Sequence, residues 1–104
     1  MFVILWEFEV KPGSETSFEN AYGPAGAWSQ LFQRDPRYRG TKLLRDVARP
    51  LHFYTIDCWD FESAYRQFLA RYDVAYGKLD RTMKSLTVRE HHLLSCVVQD
   101  ASVP

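Results

Sequence analysis

Three tyrosines and one aspartate have the types and spacing that chemistry needs. Tyr65, Tyr72 and Tyr76 fall along one helical stripe, and Tyr72 and Tyr76, one turn apart, can present two hydroxyls to a single ligand. Asp57 lies in the strand-like run "LHFYTIDCW", on the same face as Phe53, Thr55 and Trp59 by the two-residue period of a strand. Buried there, its carboxyl group would hold a proton above the usual carboxylate range and could serve as a general base near neutral pH. Each assignment has a plainer counterpart. The tyrosines could be core rings whose hydroxyls reach water at the edge, and Asp57 could be a surface residue paired with Arg45 across a hairpin.

The other titratable residues form weaker constellations. His52, His91 and His92 are alternative bases. His91 and His92 are neighbours in a strand, so their side chains point to opposite faces and do not share a metal ion; His92 is the one assigned to a ligand pocket. Glu7 and Glu9 stand about 7 Å apart on one strand face, a spacing that suits either a carboxylate pair or a rim paired with Arg or Lys. There is no CxxC and no HExxH, so no metal site is expected. With no GxGxxG, GxxxxGK[ST] or GxSxG, nucleotide cofactors and serine hydrolysis have no support.

The elements that must position these residues follow from periodicity. Residues 2–10 alternate, with Phe2, Ile4, Trp6, Phe8 and Val10 on one face and Val3, Leu5, Glu7 and Glu9 on the other. "KPG" stops this strand, and Ser14 is positioned to cap a helix. In "FENAYGPAGAWSQLF", Phe18, Tyr22, Ala25, Trp28 and Phe32 keep a helical stripe to about Gln33, yet Gly23, Pro24 and Gly26 interrupt it. The interruption predicts two helical segments meeting at a bend, with Gly23 left-handed and Pro24 opening the second. Residues 40–48 and 51–59 are strands joined at Arg49 and Pro50. Asp60 is expected to cap a further helix whose stripe runs Ala64, Tyr65, Phe68, Tyr72, Tyr76, Leu79 and Met83, with Asp73 and Gly77 as candidate breaks. Residues 86–98 form a last strand.

The order β-α-β-β-α-β is the split pattern of a ferredoxin-like α+β fold, a four-stranded antiparallel sheet with its helices on one face. The second face carries Val3 and Leu5 and so is not a solvated face. A homodimer packed through that open face is the simplest cover.

Length and charge bound the remainder. The 104 residues suit a single domain over 1–98 and a polar tail over 99–104. Thirteen basic and thirteen acidic residues cancel, leaving no electrostatic footprint for nucleic acid or an anionic membrane. Cys58 and Cys96 each sit in an apolar segment and read as buried thiols in a cytoplasmic protein. The opening "MFVILWEFEV" lacks a basic flank and a cleavage site, and is too short for a membrane span.

Val10-Lys11-Pro12-Gly13, "FENAYGPAGAW", "YRGTKLLRD", "YTIDCW", the Tyr72 to Asp80 run and "LTVRE" together resemble the antibiotic biosynthesis monooxygenase-like domains of the dimeric α/β-barrel superfamily, over residues 2 to 98. The resemblance implies a dimeric α+β barrel with a pocket between sheet and helices. It implies cofactor-independent oxidation of a hydrophobic quinol or polyketide by O2, with the substrate supplying the electrons. A non-catalytic small-ligand binder on the same fold is the alternative. Cofactor-free oxygenation asks for a dry aromatic pocket, a base, and donors for the developing charge. The expected catalytic residues are Asp57, Tyr72 and Tyr76. Trp6, Tyr22, Trp28, Tyr65 and His92 are the expected substrate contacts, with no metal. Related heme-degrading members use an Asn on the first strand with a Trp and a His on the second helix. Here Trp6 lies near the Asn register and no His occurs between Phe61 and Met83, so heme degradation is not expected.

Overall fold

The first strand, β1 (Phe2–Val10), is the axis of the molecule. A computed structural model describes residues 1–99. Its elements continue with α1 (Glu15–Tyr22), α2 (Ala27–Phe32), β2 (Tyr38–Arg45), β3 (His52–Trp59), α3 (Glu62–Arg71), α4 (Asp73–Met83), a single 3-10 turn at Lys84–Leu86, and β4 (Thr87–Val97). The sheet order is β2-β3-β1-β4 and every pairing is antiparallel. This is the ferredoxin-like α+β arrangement, with each sequence-predicted helix realised as two segments. From residue 100 on, the expected polar tail lies outside the described residues.

Alternation decides which face is covered. Phe2, Ile4, Phe8 and Val10 are buried under the helices together with Phe53 and Trp59 of β3, Phe18 and Tyr22 of α1, Trp28 and Phe32 of α2, and Phe68 of α3. Ring packs on ring through this core: Phe18 stacks on Tyr22 with centroids 4.2 Å apart, and Phe32 meets Trp59 edge-on at 5.7 Å. Large rings let a small chain bury much apolar area with few residues. The opposite face presents Val3, Leu5, Ile56 and the half-exposed Leu44 and Leu94 to solvent.

Several local expectations need correction. Gly23 is not left-handed; its φ of −71° and ψ of 176° are ordinary extended backbone. Glycine is required at the bend for close approach instead: a Cβ on Gly26 would lie 2.3 Å from the Ala21 carbonyl oxygen, and one on Gly23 would lie 2.7 Å from that of Glu19. Pro24 sits in the turn, not in α2, which begins at Ala27. Ser14 is the N-cap residue by position, but its side chain caps nothing. Asp60 pairs with Arg39 instead of capping α3, whose N-cap is Phe61. The second helix breaks at Tyr72, while Gly77 stays within α4. Cys58 is half-buried and Cys96 is exposed; both fall on the uncovered face, so neither is a fully buried thiol.

Candidate active site

A cavity of about 50 Å³ lies between the sheet and α1, α2 and α4. Trp6 and Phe8 of β1 form its floor, with Thr55 and Asp57 of β3 and Thr41 of β2 beside them. Tyr22, Trp28 and Phe32 wall one side, and Tyr76 and Asp80 of α4 wall another. Glu90 of β4 closes the edge. The bend between α1 and α2 is what brings Tyr22 and Trp28 to the same corner, with centroids 6.1 Å apart. Trp28 in turn meets Tyr76 edge-on at 4.9 Å, so the three rings form a continuous aromatic wall.

Asp57 is the buried carboxylate of this site, 8% exposed. Strand alternation turns it toward the helices, and pairing with β2 sets Thr41 opposite it. The Thr41 hydroxyl donates to Asp57 Oδ1 at 2.7 Å. No donor among the described residues reaches Oδ2, which leaves that oxygen for a ligand. Arg45 does not pair with Asp57; its guanidinium bonds the Pro50 carbonyl and approaches Glu19. Burial raises the Asp57 pKa from 3.8 to about 6, against the smaller lowering effect of the Thr41 bond. A carboxyl group titrating there is mostly ionised at neutrality, ready to take a proton, and close enough to neutrality to return it.

The remaining polar groups of the cavity are acidic or neutral. Burial, reinforced by Asp80, raises the Glu90 pKa. Burial likewise raises Tyr22 and Tyr76, so both remain neutral phenols able to donate. Trp28 Nε1 is buried without a hydrogen-bond partner. The indole eases ionisation of Tyr22 slightly, against the larger effect of burial, but Nε1 is not aligned to bond it. An unpaired buried donor on a residue that lines a cavity is a natural partner for a ligand oxygen. Among the described residues, no Lys, Arg or His lines the cavity, and no group of three His, Cys, Asp or Glu is arranged to hold a metal.

The expected site residues therefore divide. Asp57, Tyr76, Trp6, Tyr22 and Trp28 converge on one cavity. Tyr72 and Tyr65 do not line it. Tyr72 packs on Phe68 with Arg34 and Arg71 over its ring, because the chain breaks there and turns its side chain away from the stripe that Tyr76 continues. Tyr65 packs between Phe2 and Trp59. His92 shares the helix-side face with Trp6, 5.5 Å from it, but is exposed and bonded to Ser95. Thr41, Asp80 and Glu90 escaped the sequence reading. Asp80 carried a signal, being one turn after Tyr76, whereas Glu90 reaches this face through the bulge in β4 opposite Leu5 and Trp6.

No family model matches the chain, and no curated protein does. Solved structures do. The chain superposes on SnoaB, a cofactor-independent oxygenase from Streptomyces nogalater, with a TM-score of 0.77 at 18% identity, covering 99% of this chain and 97% of the other. The chain has the fold of the antibiotic biosynthesis monooxygenase-like domains. The same holds against a putative antibiotic biosynthesis monooxygenase from Deinococcus radiodurans, with a TM-score of 0.74 at 15% identity over 97% and 95% of the two chains. A counterpart from Nitrosomonas europaea gives 0.70 at 14% identity over 94% and 98%. No helix among the described residues is long and apolar enough to cross a membrane.

Proposed function

We propose that this protein is a cofactor-independent monooxygenase for a hydrophobic aromatic molecule of the quinol or anthrone type. Asp57, a buried carboxylate at the floor of an aromatic cavity with one free oxygen, is the observation that carries this reading. Asp57 Oδ2 takes a phenolic or ring CH2 proton. The resulting anion reduces O2 and bonds it at the ring carbon. The hydroperoxide then loses water, so one oxygen atom stays as a carbonyl and the other leaves as water, and the substrate supplies all four electrons. Trp28 Nε1 and the Tyr76 hydroxyl donate to the charged substrate oxygen. Preorganised donors of this kind stabilise developing charge without reorganisation.

Three carboxyl groups and no cation make the cavity suited to neutral substrates and unsuited to those bearing a carboxylate. The cavity as it stands is smaller than the roughly 150 Å³ that holds a benzene ring. Entry of an aromatic ring therefore requires the cavity walls to move apart. A second copy of the chain is the proposed partner, packed face to face on Leu5, Ile56, Leu44 and Leu94.

The test is oxygen uptake by chelator-treated protein with a panel of anthrones and quinols. The expected result is one O2 consumed per substrate, with one atom of labelled oxygen retained in the product. Tight binding without turnover would assign the cavity to a non-catalytic ligand binder instead.

A further inference from the structure

Four buried side-chain oxygens and the Gly23 carbonyl form a single file behind the cavity. The Thr41 hydroxyl donates to Asp57 Oδ1 at 2.7 Å, the Tyr38 hydroxyl donates to Ser29 Oγ at 3.1 Å, and the Ser29 hydroxyl donates to the Gly23 carbonyl at 3.1 Å. The Tyr38 and Thr41 hydroxyls are themselves in hydrogen-bonding contact. Ser29 is fully buried and Tyr38 is nine-tenths buried, so that end of the file is shielded from bulk water, while Thr41 and Asp57 are as deeply buried but border the cavity.

Counting protons gives the chain a direction. Three hydroxyls supply three protons, and the file has four gaps: Gly23 to Ser29, Ser29 to Tyr38, Tyr38 to Thr41, and Thr41 to Asp57. With Asp57 ionised, one gap holds no proton. With Asp57 protonated on Oδ1, every oxygen donates to the next and the Gly23 carbonyl, which can only accept, ends the line. That carbonyl also accepts from the Gly26 amide at 2.9 Å, so it keeps a partner when Ser29 turns away.

We propose that Ser29, Tyr38 and Thr41 are positioning residues for Asp57: a hydroxyl file that is one proton short when the carboxylate is ionised and complete when it is protonated. The file thereby ties the proton held at the cavity floor to the bend that carries Trp28. Its role in turnover rests on the reading of Asp57 as the base, but its effect on the carboxyl group does not. Other titratable groups lie near Asp57 as well: Tyr65 from α3, Tyr76 and Asp80 from α4, Glu90 from β4, and Cys58, next in the chain but on the opposite face of the sheet. None of them is cationic, and none bonds Oδ1.

The file makes neighbouring substitutions act in opposite directions. Tyr38→Phe removes a gap on each side, so the remaining hydroxyls satisfy the ionised carboxylate and protonation gains no bond. Its Asp57 pKa should fall by about half to one pH unit, the worth of one hydrogen bond. Ser29→Ala should lower it similarly. Thr41→Val removes the donor to the charged form, a charge-assisted bond about twice as strong as a neutral one, so its pKa should rise.

The experiment is a pH titration of the Asp57 carboxyl carbon by NMR in protein labelled with ¹³C at aspartate side chains, the signal being assigned by its loss in Asp57→Asn. Downward shifts for Tyr38→Phe and Ser29→Ala with an upward shift for Thr41→Val support the file. Shifts of one sign in all three variants, as water entry would cause, overturn it, as would no shift. If Tyr38→Phe does not fold, the opposite signs of Ser29→Ala and Thr41→Val decide alone. The expected signs in a protein that consumes no O2 would leave the file standing and remove the oxygenase reading.

Discussion

Replacing Asp57 by asparagine should make the protein more stable, and only above about pH 4. Burial raises this carboxyl group from 3.8 to about 6, so between those values the native state keeps a proton that the unfolded chain has released. The stabilising contribution of that proton is complete below about pH 4 and is lost as pH rises through about 6. At 1.36 kcal/mol per pH unit, the ionised Asp57 costs roughly 3 kcal/mol at pH 7. The asparagine side chain carries no charge and avoids that cost, while its amide oxygen can still accept from Thr41. Denaturant unfolding of both proteins at pH 4 and pH 7 isolates the effect. The amide's own packing and all other titrating groups appear at both values of pH and cancel. The difference between the two proteins should grow by about 2–3 kcal/mol from pH 4 to pH 7, or roughly 10–20 °C in Tm for a chain of this length. A difference that is the same at both pH values would refute the burial of this charge.

Other outcomes follow from the same geometry. Trp28→Phe keeps an aromatic wall but deletes the unpaired Nε1 donor; kcat/KM with a quinol should fall by about 10-fold or more while Tm changes little, and unchanged kinetics would remove Trp28 from the site. Gly26→Ala drives a Cβ against the Ala21 carbonyl oxygen and should destabilise the protein by about 1–3 kcal/mol in chemical denaturation, whereas a neutral result would mean the bend relaxes freely. Leu94→Asp places a charge on the uncovered sheet face opposite Leu5 and should shift the proposed dimer to monomer in sedimentation velocity; a wild-type monomer, or a dimer unchanged by the substitution, would remove this interface.

β1 and β3 were legible because each alternates cleanly, whereas β2, expected over 40–48, runs Tyr38–Arg45 with an irregularity at Gly40 that breaks its period. The apolar period of "FVILWEFEV" gives β1 its bounds and its buried face without reference to any other segment. The convergence of Asp57 with Trp6, Tyr22, Trp28 and Tyr76 was partly legible for the same reason, since strand and helix periods fix which residues face inward. Tyr65 and Tyr72 missed because a helical stripe names a face but not a depth along the axis; the break at Tyr72 re-aims the stripe by an amount no period encodes. Thr41 was invisible until the register of β2 against β3 set it opposite Asp57, and Glu90 until the β4 bulge flipped its face. Gly23 carried the right identity with the wrong cause: contact with the Glu19 carbonyl one turn away, not left-handed backbone, excludes a side chain there.

The pH dependence of turnover tests the central claim most directly. With a neutral quinol or anthrone, the rate of O2 uptake should rise with pH through about 6 as Asp57 ionises, and Asp57→Asn should lose about 100-fold or more across the whole range. A variant without the carboxylate that keeps the wild-type rate and the wild-type pH profile would contradict the assignment of Asp57 as the base.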